Sequence, residues 1–345
     1  MKNKYVFVIV MLLSILIISM GFTTIYVDHN TEHIADEEFV VVTSFYPMYI
    51  ATMNVVEDVE GVTLKNLSEP QTGCLHDFQL TPEDMKLLST ADVFVINGGG
   101  IESFMEEIAA AYPNLVIVDA CEGLTLLGEE TEHEESEHVH EEESEHVHED
   151  ESEHEHEEET EHIHEEETGH THDHDHGLNA HAWMSVSLYR KQIENIVHGL
   201  SEANPKNASY YEANGQVYDN KLASLEEEQK EIIELAHDTS AIMFHCAFDY
   251  IAEGYGLNVA FCMDLDEERQ VSAGEVAEVL SVIEHDDVHL IFAEELYGKS
   301  MCDMIQKEAD VTVVYLDPLN RGAYEADSYI ENMMKNLRLI REALQ

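Results

Sequence analysis

The amino-acid sequence predicts an α/β fold: two (βα) lobes with parallel sheets joined by one long backbone helix, with a metal site in the cleft between the lobes. Two observations carry the architecture. Short apolar, β-branched runs alternate with helical patterns in both halves of the chain, and that alternation is the mark of parallel βαβ units. Between the halves stands a helical pattern about thirty residues long, too long and too polar on one face for an ordinary core helix. Outside the two unusual segments described below, roughly 270 residues remain, enough for two hydrophobic cores.

Residues 1–27 read as a signal peptide or an N-terminal membrane anchor. Lys2 and Lys4 precede an apolar run from Tyr5 to Met20, and Asp28 is the first acidic residue. Basic residues ahead of the run keep that end in the cytoplasm and place the remainder outside. Ser19-Met20-Gly21 offers small residues for cleavage, while the stretch to Val27 is long enough to stay in a bilayer. No cysteine follows the run, so it offers no site for a lipid-modified N-terminal cysteine.

The first lobe is expected over residues 38–203. Phe39–Thr43, Val62–Leu67, Ala91–Asn97 and Leu115–Asp119 are its strands, with a helix over Ser103–Ala111. Thr81-Pro82-Glu83-Asp84 sets a cap, a proline at the first helical position and an acid three residues after the cap. Gly98-Gly99-Gly100 lacks the spacing of a nucleotide-binding loop, so a tight turn accounts for it. Asn204-Pro205 opens the linker helix, residues 204–237, with Tyr211, Tyr218, Leu222, Leu225, Ile232 and Ala236 along its apolar stripe. The second lobe, residues 238–345, repeats the alternation. Its strands are Ala241–Phe244, Asn258–Cys262, Val288–Ala293 and Val311–Leu316. Its helices are Ala247–Glu253, a segment from the capping box at Ser272 to Glu284, and Lys299–Ala309.

The first lobe is interrupted by residues 129–176, which hold thirteen histidines and twenty-four acidic residues without a lysine or arginine. A unit Glu-Ser/Thr-Glu-His-x-His-Glu recurs every eight residues from Glu135, with a degenerate copy at Glu167. The paired histidines are His138 and His140, His146 and His148, His154 and His156, His162 and His164, then His170, His172, His174 and His176. In an extended chain residues two apart lie on one side, roughly 6–7 Å from each other, so each pair can close on one cation. Neutral imidazole is the commonest ligand for zinc-like ions, and carboxylates add charge and oxygen donors. The segment has nothing with which to build a core, and a disordered loop acting as an auxiliary, weak metal trap is expected.

The formal net charge is −57; the tract supplies −24, leaving −33 on the rest of the chain. Such a field repels nucleic acid and attracts cations. Five cysteines, Cys74, Cys121, Cys246, Cys262 and Cys302, show no CxxC spacing, which argues against a cysteine-built zinc knuckle. Their disulfide pairing is not set by the spacing.

In α/β lobes ligands gather beyond the carboxyl ends of the strands. Four metal-capable residues stand there: His76 in Gly73-Cys-Leu-His-Asp-Phe78, His181 in Asn179-Ala-His-Ala-Trp183, His245 at the end of Ala241–Phe244, and Asp317 at the end of Val311–Leu316. Asp77 and Asp249 are plausible outer partners for the imidazoles. Glu294 and Glu295 also end a strand, although acids at a helix entry commonly complement the helix dipole.

Leu75-His-Asp-Phe-Gln-Leu-Thr-Pro-Glu-Asp84, Ala91-Asp-Val-Phe-Val-Ile-Asn-Gly98, His181-Ala-Trp-Met184, Phe244-His-Cys-Ala-Phe-Asp-Tyr250 and Leu316-Asp-Pro-Leu319 resemble, in order and spacing, one family. It is the metal-binding solute-binding proteins of zinc/manganese ABC importers, in the zinc-specific branch with a His-rich loop. The resemblance runs from about Phe39 to the C-terminus and implies histidine ligands at His76, His181 and His245 with a carboxylate at Asp317. It further implies zinc as the transported ligand, a permease and a cytoplasmic ATPase as partners, and a monomer acting at the outer face of the cytoplasmic membrane or in the periplasm. Two departures stand out. Met184 follows Trp183 where a Leu-Asp-Pro-like run is usual, and Cys246 replaces a small residue, so that Cys74 and Cys246 leave a sulfur contribution open. Three imidazoles and a carboxylate suit tetrahedral zinc better than manganese; copper and nickel would also bind this set by intrinsic affinity, so the choice of zinc rests partly on the resemblance. A zinc hydrolase is the alternative, but a fourth protein ligand closes the position a catalytic water needs, and no HExxH helix is present. Surface adhesion or zinc storage would use the same site.

Overall fold

The computed structural model describes residues 38–72, 78–128, 178–265 and 269–345. The expected N-terminal segment, His76, Asp77, Cys74 and the histidine tract lie outside these. Among the described residues no helix is long and apolar enough to cross a membrane.

Each lobe is built on a four-stranded sheet. In the first, β1 (Phe39–Thr43), β2 (Val62–Asn66), β3 (Val93–Ile96) and β4 (Val116–Asp119) lie in the order β2-β1-β3-β4. In the second, β5 (Ser240–Met243), β6 (Asn258–Cys262), β7 (Leu290–Ala293) and β8 (Thr312–Tyr315) lie in the order β6-β5-β7-β8. Every pairing is parallel. The inner strands are the apolar ones: β3 and β7 are buried at all positions, while β4 and β6 expose their first two residues. Both orders reverse direction between the first and third strand of the lobe. Crossovers leave on opposite faces there, so a crevice opens beyond the carboxyl ends of β1 and β3 and, in the second lobe, of β5 and β7.

The helices cover these sheets. In the first lobe they are α1 (Tyr46–Val55), α2 (Pro82–Leu88), α3 (Met105–Ala111) and α4 (Val186–Ala203). The capping box at Thr81 forms as its spacing predicts, Thr81 Oγ1 accepting from Asp84 N and Asp84 Oδ2 accepting from Thr81 N. The linking helix α5 (Ala208–Ala236) has 29 residues, and at 1.5 Å per residue it is about 43 Å long. All six apolar positions of its expected stripe are buried. A 3₁₀ turn, Pro205–Asn207, precedes it. Helix α4 lies against α5, and Arg190 on α4 clamps the pair through Asp219 (Nη2–Oδ2 3.0 Å) and Glu226 (2.8 Å). Gly215 permits the close approach: a Cβ there would run into Val197.

The second lobe carries α6 (Asp249–Tyr255), α7 (Ala273–His285), α8 (Glu295–Glu308) and α9 (Ser328–Leu344). The capping box at Ser272 forms. Helix α8 begins at Glu295 rather than at the expected Lys299, because Glu294 takes the N-cap position and Gly298 fits against Ala293. The segment expected as one helix from Ala247 divides into a 3₁₀ turn, Cys246–Phe248, and α6, which Gly256 ends in the left-handed conformation at φ +71°.

Helix α9 returns from the second lobe to pack on α5 and α1 of the first. Tyr329 stacks on Tyr189 with ring centroids 3.8 Å apart, and its hydroxyl donates to Trp183 O at 2.7 Å. One continuous core therefore runs from β1 and β3 through α4 and α5 to α9 and the near face of β5 and β7. A smaller core fills the far face of the second sheet beneath α7 and α8.

Candidate metal centre

His181 stands at the entry to a 3₁₀ turn, Ala182–Met184, and is buried to 1% exposure. Several bonds fix this segment. Asn97, at the end of β3, donates from Nδ2 to Ala180 O at 2.9 Å, and its Oδ1 accepts from Gln192 of α4 at 2.8 Å. The Asn97 and Gly98 backbone N–H groups are held in turn by the buried Glu102 carboxylate, at 2.7 and 3.1 Å. Gly98 is obligatory: at φ +82° a Cβ would collide with the Asp119 carboxylate, which accounts for the turn at the triple glycine. Burial pushes the Glu102 carboxyl up to about 7, against the bonds from Asn97 N and Gly98 N that favour its charge.

Asn179, two residues before His181, orients the ring. Its Oδ1 accepts from His181 N at 3.1 Å and lies 2.9 Å from His181 Nδ1. Its Nδ2 donates to Cys246 O at 2.8 Å, across the cleft, and lies 3.5 Å from Asp249 Oδ2. With Nδ1 facing an amide oxygen, Nε2 is left as the lone-pair donor. Asp249 thus supports Asn179 rather than an imidazole directly. Burial raises its carboxyl to about 6, opposed by the Cys262 thiol, His245 and Asn179.

His245 follows β5 in extended backbone and is 0% exposed. Its ring meets His181 edge to face, centroids 5.2 Å apart and planes at 85°. Trp183 and Phe248 wall the two rings at 5.0 and 5.4 Å. One imidazole comes from each lobe, and both are buried. Glu294, at the end of β7, faces His245 with Oε2 3.6 Å from Nδ1, while its Oε1 pairs with Arg321 at 2.9 Å.

Among the described residues His181, His245 and Cys246 form a group whose donor atoms all lie within 4.8 Å of one another. The thiol sits 3.7 Å from His181 Nδ1, the edge that Asn179 occupies, and 3.5 Å from Asp264 Oδ2. Burial, Asp264, Cys262 and Asp249 all push its ionisation up. The four described cysteines are free thiols.

Asp317 lies two residues beyond β8 and is not part of that close group. Asn336 of α9 grips its backbone at both atoms, 2.9 Å at N and 2.7 Å at O, and its Oδ1 accepts from Leu319 N at 2.8 Å. Leu319 holds φ +58°, a conformation non-glycine residues rarely adopt, so the turn that presents Asp317 is a strained one. Burial raises the Asp317 carboxyl, opposed by Leu319 N, Lys335 and Arg321, and reinforced by Glu294. Asp317, Glu294 and Arg321 therefore share one electrostatic neighbourhood beyond β7 and β8.

A family model described as zinc-uptake complex component A, periplasmic, matches residues 41–343. The chain belongs to this ZnuA family. The high-affinity zinc uptake system protein ZnuA of Bacillus subtilis strain 168 is 29% identical over 311 residues, covering 88% of this chain and 87% of that protein. The structure of the SBP FpvC of Pseudomonas aeruginosa with Ni2+ superposes with a TM-score of 0.68 at 23% identity, over 89% of this chain and 97% of that one. Zn(II)-bound AdcA from Streptococcus pneumoniae gives 0.67 at 23% identity, and there the chain spans only 57% of the structure. At these identities the structural matches establish the fold. ZnuA-family proteins are binding components working with ABC permease and ATPase components, so the chain is a binding protein and not an enzyme.

Of the four expected ligands, the structure brings His181 and His245 together, His245 following β5 and His181 preceding the Ala182–Met184 turn. His76 and the tract histidines lie outside the described residues. Asn179, Asn336 and the Glu294–Arg321 pair had no assigned part in the site, or in the case of Glu294 a minor one. Asn179 carried a signal, an Asn two residues before a buried His, where its side chain folds back on the backbone.

Proposed function

We propose that the chain captures zinc outside the cytoplasm and hands it to the permease of an ABC importer, acting as a monomer. The metal is held by His76, His181, His245 and Asp317. The observation that carries this reading is the meeting of His181 and His245, buried imidazoles from opposite lobes with centroids 5.2 Å apart. Two buried imidazoles brought edge to face from opposite lobes are well placed to share a cation, and nitrogen donors favour zinc over manganese. Asp317 supplies the charge that compensates the ion, and its elevated carboxyl is the expected state of a buried acid before a cation arrives.

Competitive titration of the full chain against a chromophoric zinc chelator tests this. One tight zinc per chain is expected, together with weaker sites, and manganese should not displace the tight ion at equal concentration. A chain with only weak, multiple sites would overturn the reading.

A further inference from the structure

Glu294 is 4% exposed, and it stands at the switch point of the second sheet, where β5 and β7 diverge. Its two carboxylate oxygens do different things. Oε1 pairs with Arg321 at 2.9 Å, and Arg321 is itself held by Asn320 Oδ1 at 3.2 Å and lies over the Tyr297 ring at 5.4 Å. Oε2 is buried, has no hydrogen-bond partner among the described residues, and points at His245 Nδ1 from 3.6 Å. That separation is beyond a hydrogen bond and less than 1 Å from one. A buried carboxylate oxygen without a bond is costly, and such exceptions call for a reason.

Resting on the zinc reading above, we propose that Glu294 is the positioning residue of His245, accepting its Nδ1–H when metal binds, with Arg321 as the fixed counter-ion. On one side of the cleft Asn179 faces His181 Nδ1 at 2.9 Å; on the other Glu294 faces His245 Nδ1. Each imidazole then presents Nε2 to the ion. The two supports differ in kind. A neutral amide orients His181, whereas an anion orients His245 and makes it the stronger donor of the two. Arg321 lies four residues after Asp317 on the same turn, so the cation that steadies Glu294 moves with the carboxylate ligand. Metal binding and the closing of the 3.6 Å gap are thereby one event.

The test uses the full chain with one equivalent of zinc, comparing Glu294→Ala, Glu294→Gln and His245→Ala. Glu294→Ala should weaken tight zinc binding about 10- to 100-fold, the usual effect of losing such a partner. Glu294→Gln keeps size and one oxygen acceptor, and should recover part of that loss; it also guards against a folding failure in the alanine variant. In ¹⁵N-histidine spectra, the His245 Nδ1–H of the zinc-loaded chain should be protected from exchange in the native protein and unprotected in Glu294→Ala. If both Glu294 variants bind zinc like the native chain and keep the protected proton while His245→Ala does not bind, the positioning role is overturned and the zinc reading stands. If Glu294→Gln is as damaging as His245→Ala, Glu294 is itself a ligand and the proposal is again overturned. Native affinity in His245→Ala would instead remove the zinc reading on which it rests.

Discussion

Trp183 and Tyr329 tie the two lobes together at the back of the metal cleft. The Tyr329 hydroxyl donates to Trp183 O at 2.7 Å, and the Trp183 indole donates to Pro318 O at 2.9 Å, one residue beyond Asp317. The turn bearing a candidate ligand of the second lobe is thus hydrogen-bonded to the residue two beyond a candidate ligand of the first. Around it, Tyr46 donates to Ala323 O at 2.9 Å and Asn54 to Ala326 O at 2.8 Å. A ligand set drawn from both lobes is held on a closed, bonded frame, which favours small adjustments at the site over wide swings of the lobes.

Zinc held as proposed, by His181 and His245 from opposite lobes, should stabilise the whole fold. At free zinc a hundredfold above the dissociation constant, linkage adds about 2.7 kcal/mol. For a folded body of this size the melting temperature should rise by roughly 5–10 °C. Calorimetric scans at pH 7.5 with and without zinc check this, and superimposable melts would contradict an interlobe site.

Glu102 should give stability a pH dependence of its own. Its carboxyl titrates near 7 in the folded chain and near 4.5 when exposed, so the native state holds the extra proton between those values. The stabilising contribution is full below about 4.5 and is lost as pH rises through about 7, a total on the order of 3 kcal/mol. Glu102→Gln should flatten the decline in denaturant-derived stability between pH 5 and pH 8. An unchanged slope would mean the buried carboxylate is solvated when charged.

The tract over residues 129–176 should add capacity without adding to the tight site. Deleting it should leave one tight zinc while removing the weaker sites. Protons compete for imidazole, so those sites should empty as pH falls through about 6.5. Titration calorimetry of both chains at pH 7.5 and 5.5 reads this directly. Loss of tight binding on deletion would make the tract a source of primary ligands.

The fold was legible because β1, β3, β5 and β7 are short, nearly unbroken apolar runs that a doubly covered parallel sheet can bury, and because the caps at Thr81 and Ser272 mark helix starts chemically. Helices α1, α4 and α9 were not anticipated. The residues of α1 are almost all buried, so no polar face marks its period. The apolar positions of α4 (Val186, Tyr189, Ile193, Ile196, Leu200) and α9 (Tyr329, Met333, Leu337, Ile340) do fall at helical spacing, so for these two the sequence carries the signal. At the site, His245 could be read from the end of a strand, and His181 from its place where folded sequence resumes together with the family resemblance. Asn179, Glu294 and Arg321 could not, since a histidine's outer partner is set by the approach of two loops and leaves no spacing to read. Cys246 shows the same limit: its place beside His245 in sequence leaves a sulfur contribution open, and in the structure its thiol lies 3.7 Å from His181 Nδ1, within the close group of donor atoms.

The most direct test of the account is an anomalous-difference map at the zinc edge, from crystals of the full chain grown with one equivalent of zinc. A single dominant peak is expected about 2.1 Å from imidazole nitrogens of both His181 and His245, with His76 and Asp317 completing a tetrahedron and no sulfur at about 2.3 Å. A dominant peak elsewhere, with His181 and His245 left without metal, would contradict it.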